Sequence, residues 1–349
     1  MNVYHYIGFD VHKKWIVYCV KTKDGRIVEE GNIPAAKPAV QGWAQQRSET
    51  WMGGLEATLF AGWIYDELKP YAAELKVGHP AMLKAIAASK KKNDRVDARK
   101  IADMLRCDLL PECYMAPGWI RELRRMLRYR NLVVSQAVRL KNRIAGLLME
   151  EGVSYDAQRL HGKRYFAQLL DSLETPASVL ALLRLSRASL ELFLTIERRL
   201  IAELERNPRL RARVELLQTI RGVGVILALT WALEIAEVRR FGSIRQAMSY
   251  CGLTSAERES GGKRYRGPIS KQRNPHLQTI LIEAAKLAPR WNPELAALHE
   301  RELARGNRNR ATLAVARKLV AYLMAVDRSG QPFQPRASAT ESGVAAIAG

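Results

Sequence analysis

The chain has 349 residues, with 56 Lys plus Arg against 35 Asp plus Glu and a formal net charge of +21. Hydrophobic residues make up 48%, which excludes wholesale disorder, and the length suits two or three domains of roughly 100–200 residues each. There is no uninterrupted apolar run of about 18 residues, so a spanning helix is not expected; Cys19, Cys107, Cys113 and Cys251 are scattered without CxxC spacing, against disulfides and structural zinc.

Such a charge excess opposes compaction, and a polyanion would neutralise it. Nucleic acid is favoured over an anionic membrane, because each Lys or Arg set on a phosphate releases a condensed counterion. The first residues, MNVYHYIGFDVHKKW, carry no basic-then-apolar secretion signal, and a reducing cytoplasm is expected.

Residues 6–11 (YIGFDV) read as a short strand and 15–20 (WIVYCV) as a second. Lys23-Asp24-Gly25 is a hairpin turn, and 26–33 returns as a third strand. A helix is expected over 39–47, a strand over 52–57, a helix over 61–75 and a strand at 76–78. Pro80 starts another helix, and 94–106 forms one more. Three antiparallel strands followed by alternating strands and helices suggest an α/β ribonuclease H-like sheet with helices on its faces.

From Trp119 the pattern is helical. Residues 119–151 place Leu123, Leu127, Val134, Ala137, Leu140 and Ile144 at helical spacing, interleaved with basic residues that include Arg124 and Arg128. A second long helix spans roughly 176–205. The two predict an antiparallel coiled-coil pair, able to dimerise or to project from the body. Residues 210–327 read as a third, mostly helical unit. The tail from Ser329 is rich in Ser, Ala, Pro and Gly and reads as disordered.

Four carboxylates stand out by position. Asp10 lies on the first strand and Glu56 on the fourth. Asp94 and Asp97, three apart on a helix, share a face. Clustered carboxylates repel unless a cation sits between them, and two magnesium ions about 4 Å apart would suit phosphoryl transfer. Taken singly, each acid reads more simply as a turn or cap residue, with Asp94 the helix N-cap.

Further on, LQTIRGVGVILA (217–228) fits a helix-hairpin-helix pattern, in which the amides around Gly222 and Gly224 can hold a phosphate without reading sequence. Ser260 precedes Gly261-Gly262 in what reads as a flexible loop between helices, surrounded by Lys263, Arg264, Arg266 and Lys271. A serine hydroxyl is a weak nucleophile unless a base, a metal or nearby cations favour its alkoxide, so taken alone this is a plain loop.

In combination and order these motifs resemble those of the DEDD-type insertion-sequence transposases, whose members are bridge-RNA-guided recombinases. The resemblance runs from Tyr6 to about Val326. It rests on GFDVHK (8–13), GLEAT (54–58), KNDRVDARKIA (92–102), GVG (222–224), SYCGL (249–253), SGGK (260–263) and ISK (269–271). It implies a RuvC-like catalytic domain over 1–112, a helical coiled-coil region over 113–209, a C-terminal transposase domain over 210–328 and a disordered tail over 329–349. It also implies a magnesium-binding tetrad of Asp10, Glu56, Asp94 and Asp97. Ser260, with Ser255 five residues earlier, matches the nucleophile that forms a 5′ phosphoserine link to DNA. Family members act as tetramers whose sites combine carboxylates and serine from different subunits, and a structured RNA pairs with donor and target DNA. The expected function is therefore a transposase that cuts and rejoins DNA without ATP. Two alternatives stay open: a junction-resolvase-like nuclease with water as nucleophile, and a non-catalytic nucleic-acid-binding scaffold. Gly222, Gly224, Arg124, Arg128, Lys263, Arg264 and Lys271 are the expected nucleic-acid contacts.

Overall fold

The computed structural model describes residues 4–86 and 93–335, in two compact units that divide between Arg121 and Glu122. In the first unit, β1 (His5–Val11), β2 (Trp15–Lys21) and β3 (Ile27–Pro34) form an antiparallel meander. The chain continues through α1 (Lys37–Gln45), β4 (Trp51–Glu56), α2 (Ala61–Leu68), β5 (Glu74–Gly78), α3 (Pro80–Ile86) and α4 (Asp94–Arg106). β4 runs parallel to β1, and β5 parallel to β4, giving one mixed sheet of order β3-β2-β1-β4-β5. The helix expected to reach residue 75 ends at Leu68 instead. Pro70 offers no amide to continue it, and residues 74–78 are taken into the sheet.

Side chains alternate across β1, and the alternation divides the unit into two layers. Ile7, Phe9 and Val11 pack with Val40 and Trp43 of α1, Ile64 and Leu68 of α2, and Trp51 and Leu55 of β4. Phe9, Trp43 and Trp51 meet edge to face in this core. The even-numbered residues of β1 face α4. A Cβ on Gly8 would collide with the Ala98 carbonyl and the Ala102 amide, so only glycine lets α4 lie directly on the strand. Ala98, Ile101, Ala102 and Leu105, at helical i, i+3, i+4, i+7 spacing, bury the face that α4 turns to the sheet. At one end of β1, Tyr6 packs with Ile101 and Leu105. At the other, the first turn of α4 reaches Asp10, so helix and strand run in opposite directions.

The second unit takes up most of α5 (Gly118–Glu150), then α6 (Lys163–Asp171) and α7 (Ala177–Arg206). α6 is an addition between the two long helices that the sequence predicts. Ala137 and Ile144 of α5 share one core with Leu183 and Leu190 of α7, and with Leu160 and Phe166. Each pair is seven residues apart, the coiled-coil interval. The Arg130–Glu197 ion pair continues both series in opposite senses, so α5 and α7 are antiparallel.

The rest comprises α8 (Pro208–Gln218), α9 (Val225–Ile235), α10 (Ile244–Tyr250), β6 (Ser255–Ser260), β7 (Lys263–Ile269), α11 (Pro275–Leu287), α12 (Pro293–Ala304) and α13 (Arg308–Ser329). α9 is buried on every side from Leu227 to Ile235, with α8 and α11 packed against it. The tail expected to be disordered from Ser329 is anchored through its first residues. The Phe333 amide donates to Thr219 Oγ1 at 2.8 Å, and its ring lies 4.6 Å from that of Tyr322; residues 336–349 lie outside the described residues. All four cysteines are free thiols. No described helix is long and apolar enough to cross a membrane.

Candidate functional site

The site is built where β1, β4 and α4 meet. The parallel register of β1 on β4 pairs Gly8 with Gly54 and Phe9 with Leu55. Continued by one residue, that register would bring Asp10 opposite Glu56. Both belong to the even-numbered set that faces α4, as Gly8 and Gly54 do. Neighbouring strands lie about 4.8 Å apart, so this continuation would set the two acids side by side.

α4 supplies the other two. Asn93 is its N-cap, and its side chain accepts from the Arg95 amide at 3.1 Å. The capping role considered for Asp94 therefore belongs to Asn93, and Asp94 stands in the first helical turn, free to point elsewhere. Asp97 follows one turn later, with Lys100 Nζ at 3.6 Å.

The feature that ties β1 to α4 is His12. Its Nε2 lies 2.9 Å from Asp10 Oδ2 and 3.5 Å from Asp94 Oδ2. One ligand atom from each of Asp10, His12 and Asp94 lies within 4.8 Å of the others. Burial pushes the Asp10 carboxyl above the usual carboxylate range; the hydrogen bond and charge of His12 pull against this, while Asp94 and Asp97 add repulsion. An oxygen-rich donor set with one imidazole suits a divalent cation. His12 was not singled out in the sequence, although its spacing carried the signal. It follows Asp10 by two residues at the end of a strand, and such residues lie on one side.

Beside the acids, His12 and Lys13 border a cavity of about 340 Å³ whose other walls include Lys37, Phe60 and Trp63. Basic groups interleaved with aromatic faces are the arrangement that holds a nucleic-acid strand.

The remaining expected residues belong to the second unit. Ser260 ends β6 and pairs with Lys263 across a two-residue turn. The Gly261 and Gly262 φ angles are +56° and +74°, as a tight hairpin of this kind requires. The segment is therefore a hairpin and not a loop between helices. Ser260 sits exposed at its tip, and Ser255 opposite Ile269 at its base. Lys263 and Lys271 are exposed, and Arg264 stands opposite Glu259 in the β-ladder.

Gly222 has φ +96°, and a Cβ there would lie 2.8 Å from that of Ala288, so this glycine packs one segment against another. Gly224 is the exposed N-cap of α9, with nothing within 4 Å of a Cβ added there.

Arg124 and Arg128 both reach α9, Arg128 with its side chain still 46% exposed. Arg128 grips Glu234 through Nε at 2.8 Å and Nη2 at 2.9 Å, and Arg124 donates to the Leu233 carbonyl at 3.0 and 2.8 Å. Glu234 is wholly buried and also accepts from Asn274 Nδ2 at 2.8 Å. Burial alone would raise its pKa, but the hydrogen bonds and charge of Arg128, with Asn274 and Arg124, outweigh it and hold the carboxyl below the usual range. Both arginines thus serve an internal network, because an ionised carboxylate inside an apolar helix requires cations. Its sequence signal was one acid in the otherwise apolar run VILALTWALEI.

Comparison with known proteins gives two family matches. Residues 7–151 match a transposase family of the DEDD IS110 type, and residues 214–300 match the transposase IS116/IS110/IS902 family. Among individual relatives, the chain is similar to a probable family 20 transposase of Pseudomonas aeruginosa. That match is 30% identical over 239 residues, 63% of this chain and 68% of the relative. It is also similar to a putative transposase, y4qE, of Sinorhizobium fredii, 26% identical over 295 residues, 77% of this chain and 73% of the relative. The transposase for insertion sequence element IS1111A of Coxiella burnetii is 28% identical over 244 residues, 65% of this chain and 64% of that protein.

Proposed function

Because the chain belongs to the IS116/IS110/IS902 family of insertion-sequence transposases, enzymes that cut and rejoin DNA, we propose that Asp10, Glu56, Asp94 and Asp97 are its metal-binding and catalytic acids. The observation that carries this reading is the convergence of Asp10 and Asp94 on His12; Glu56, at the end of β4, and Asp97, one turn further along α4, are assigned to the same site. The mixed sheet order supports a ribonuclease H-like, RuvC-like reading of the domain over 1–112. The coiled-coil region over 113–209 and the transposase domain over 210–328 are kept as functional divisions of the remainder.

A divalent cation such as Mg2+, held by these acids, would supply charge to the scissile phosphate and to the attacking and leaving oxygens. The chain's own groups do the rest. Asp10 and Asp94, from β1 and α4, would hold the cation that meets the reacting phosphate. Lys13, Lys37 and Trp63 hold the strand beside it. Ser260 Oγ attacks phosphorus, losing its proton; the O–P bond to serine forms, the P–O3′ bond breaks, and the 3′ oxygen leaves as a hydroxyl by gaining a proton. Attack by the 3′ hydroxyl of the exchanged strand reverses the same bonds and frees the serine. One phosphodiester is made for each one broken, so no ATP is required. The exposed position of Ser260 on a tight hairpin beside Lys263 supports this role. Exposed Lys263 and Lys271, with Arg264 and the amides at Gly222 and Gly224, are assigned to nucleic-acid backbone. Guidance by a structured bridge RNA, and a tetramer whose sites draw acids and serine from different subunits, belong to the same proposal and rest on the family resemblance.

The test uses purified protein with DNA carrying the element's ends. Asp10→Asn and Asp94→Asn should each lower strand cleavage by at least about 10²-fold, the loss of several kcal/mol of charge stabilisation, while the fold survives. Cleavage at near wild-type rate by both variants would overturn the metal centre.

A further inference from the structure

We propose that His12 is a ligand of the divalent metal at this site, through Nε2, and that it raises the site's preference for Mn2+ over Mg2+. The inference rests on the metal reading above and deepens it. The donor atoms are already gathered: Nε2 is 2.9 Å from Asp10 Oδ2 and 3.5 Å from Asp94 Oδ2. An octahedral ion with bonds of about 2.1 Å has neighbouring ligand atoms about 3 Å apart. The two edges from Nε2, at 2.9 and 3.5 Å, are thus near that spacing, and the two carboxylate oxygens lie within 4.8 Å of each other.

The chemistry of the donors then sets the choice of ion. A site of carboxylates alone offers Mg2+ the hard oxygens it prefers, and Mg2+ sheds water reluctantly. Imidazole nitrogen gives Mg2+ little in return, but it is a good ligand for first-row transition ions, among which Mn2+ also accepts carboxylate oxygen. His12 does not serve the core: its side chain is 46% exposed, and its ring borders the cavity that also holds Lys13, Phe60 and Trp63. Asp10, at 13% exposure, is the inner wall, and His12 closes the outer side between it and Asp94.

The experiment is metal binding to the full-length protein without DNA, so that turnover plays no part. Mn2+ is titrated by electron paramagnetic resonance, with Mg2+ as competitor, for wild type, His12→Ala and Asp10→Asn. Pulsed measurements on the bound Mn2+ report whether an imidazole 14N is coordinated. Wild type should bind Mn2+ with a 14N coupling. His12→Ala should lose that coupling and weaken Mn2+ binding on the order of 10–100-fold, the range known for losing even an outer-shell partner, with Mg2+ affinity nearly unchanged. Because His12 is half exposed, the variant should fold, and circular dichroism checks it. Mn2+ bound by wild type without a 14N coupling, or equal Mn2+ affinity in His12→Ala, overturns the role of His12 while Asp10→Asn still tests the carboxylates. If wild type binds no Mn2+ at all, the metal reading itself falls and takes this inference with it.

Discussion

Arg128 and Glu234 form a two-pronged ion pair, Nε to Oε1 at 2.8 Å and Nη2 to Oε2 at 2.9 Å, that fastens α5 to the buried helix α9. The carboxylate has no exposure, so the pair cannot be traded for water. Glu234→Gln should therefore destabilise the second unit by roughly 3–5 kcal/mol, the range for breaking a buried pair from one side. Urea denaturation monitored by tryptophan fluorescence reads this directly, since Trp231 lies in the same helix. A loss under about 1 kcal/mol would show that the network contributes little.

The same carboxyl links stability to pH. Its folded pKa is held below the ordinary value near 4.3, so its contribution is fully present above that value. It is lost as pH falls through the lower, folded value. Wild type should lose stability more steeply than Glu234→Gln as pH falls below the ordinary carboxylate value. Parallel curves for the two proteins would remove Glu234 as the cause.

The two glycines of the GVG segment should separate. Gly222→Ala places a Cβ 2.8 Å from that of Ala288 at φ +96° and should cost roughly 1–3 kcal/mol. Gly224→Ala meets nothing and should leave the melting temperature within a degree or two. If the first turn of α9 holds a phosphate, only Gly224→Ala should alter nucleic-acid affinity at unchanged stability. Equal destabilisation by both would contradict the division.

Binding to nucleic acid should depend steeply on salt. Contact with six to ten phosphates lowers affinity by roughly 10³–10⁵ between 50 and 200 mM salt. Lys263→Glu and Lys271→Glu should flatten that slope, while Arg128→Ala, whose charge is spent on Glu234, should leave it unchanged if the fold holds. A slope altered by Arg128→Ala alone, in folded protein, would return that residue to the nucleic-acid surface.

How far the sequence could be read differs by element. The strands of the first unit and α4 are legible because alternating and helical apolar spacing reflect which face is buried, and Asp94 to Arg106 needs no adjustment. The four acids were legible as positions on strands and a helix. That a continued register would bring Asp10 opposite Glu56 depends on a parallel pairing across 46 residues, and no local pattern states it. His12 was passed over because its two contacts come from different elements. Arg124 and Arg128 read as nucleic-acid contacts; their bonds to the Leu233 carbonyl and to Glu234, more than 100 residues away, leave no local signal. The Ser260 hairpin was missed as a strand pair because its residues, such as Glu259, Lys263 and Tyr265, are exposed and leave no alternating apolar signal.

The most direct measurement is the covalent product. Protein incubated with divalent metal and a phosphorothiolate or nicked DNA that stalls after cleavage is digested, and the DNA-bearing peptide is identified by mass spectrometry. Wild type should yield an adduct on Ser260; Asp10→Asn should yield none, and Ser260→Ala should yield none while still binding DNA. An adduct on Ser255 would move the nucleophile to the base of the hairpin. Normal cleavage by Ser260→Ala and Ser255→Ala, with no adduct in any protein, would contradict serine chemistry and make water the nucleophile.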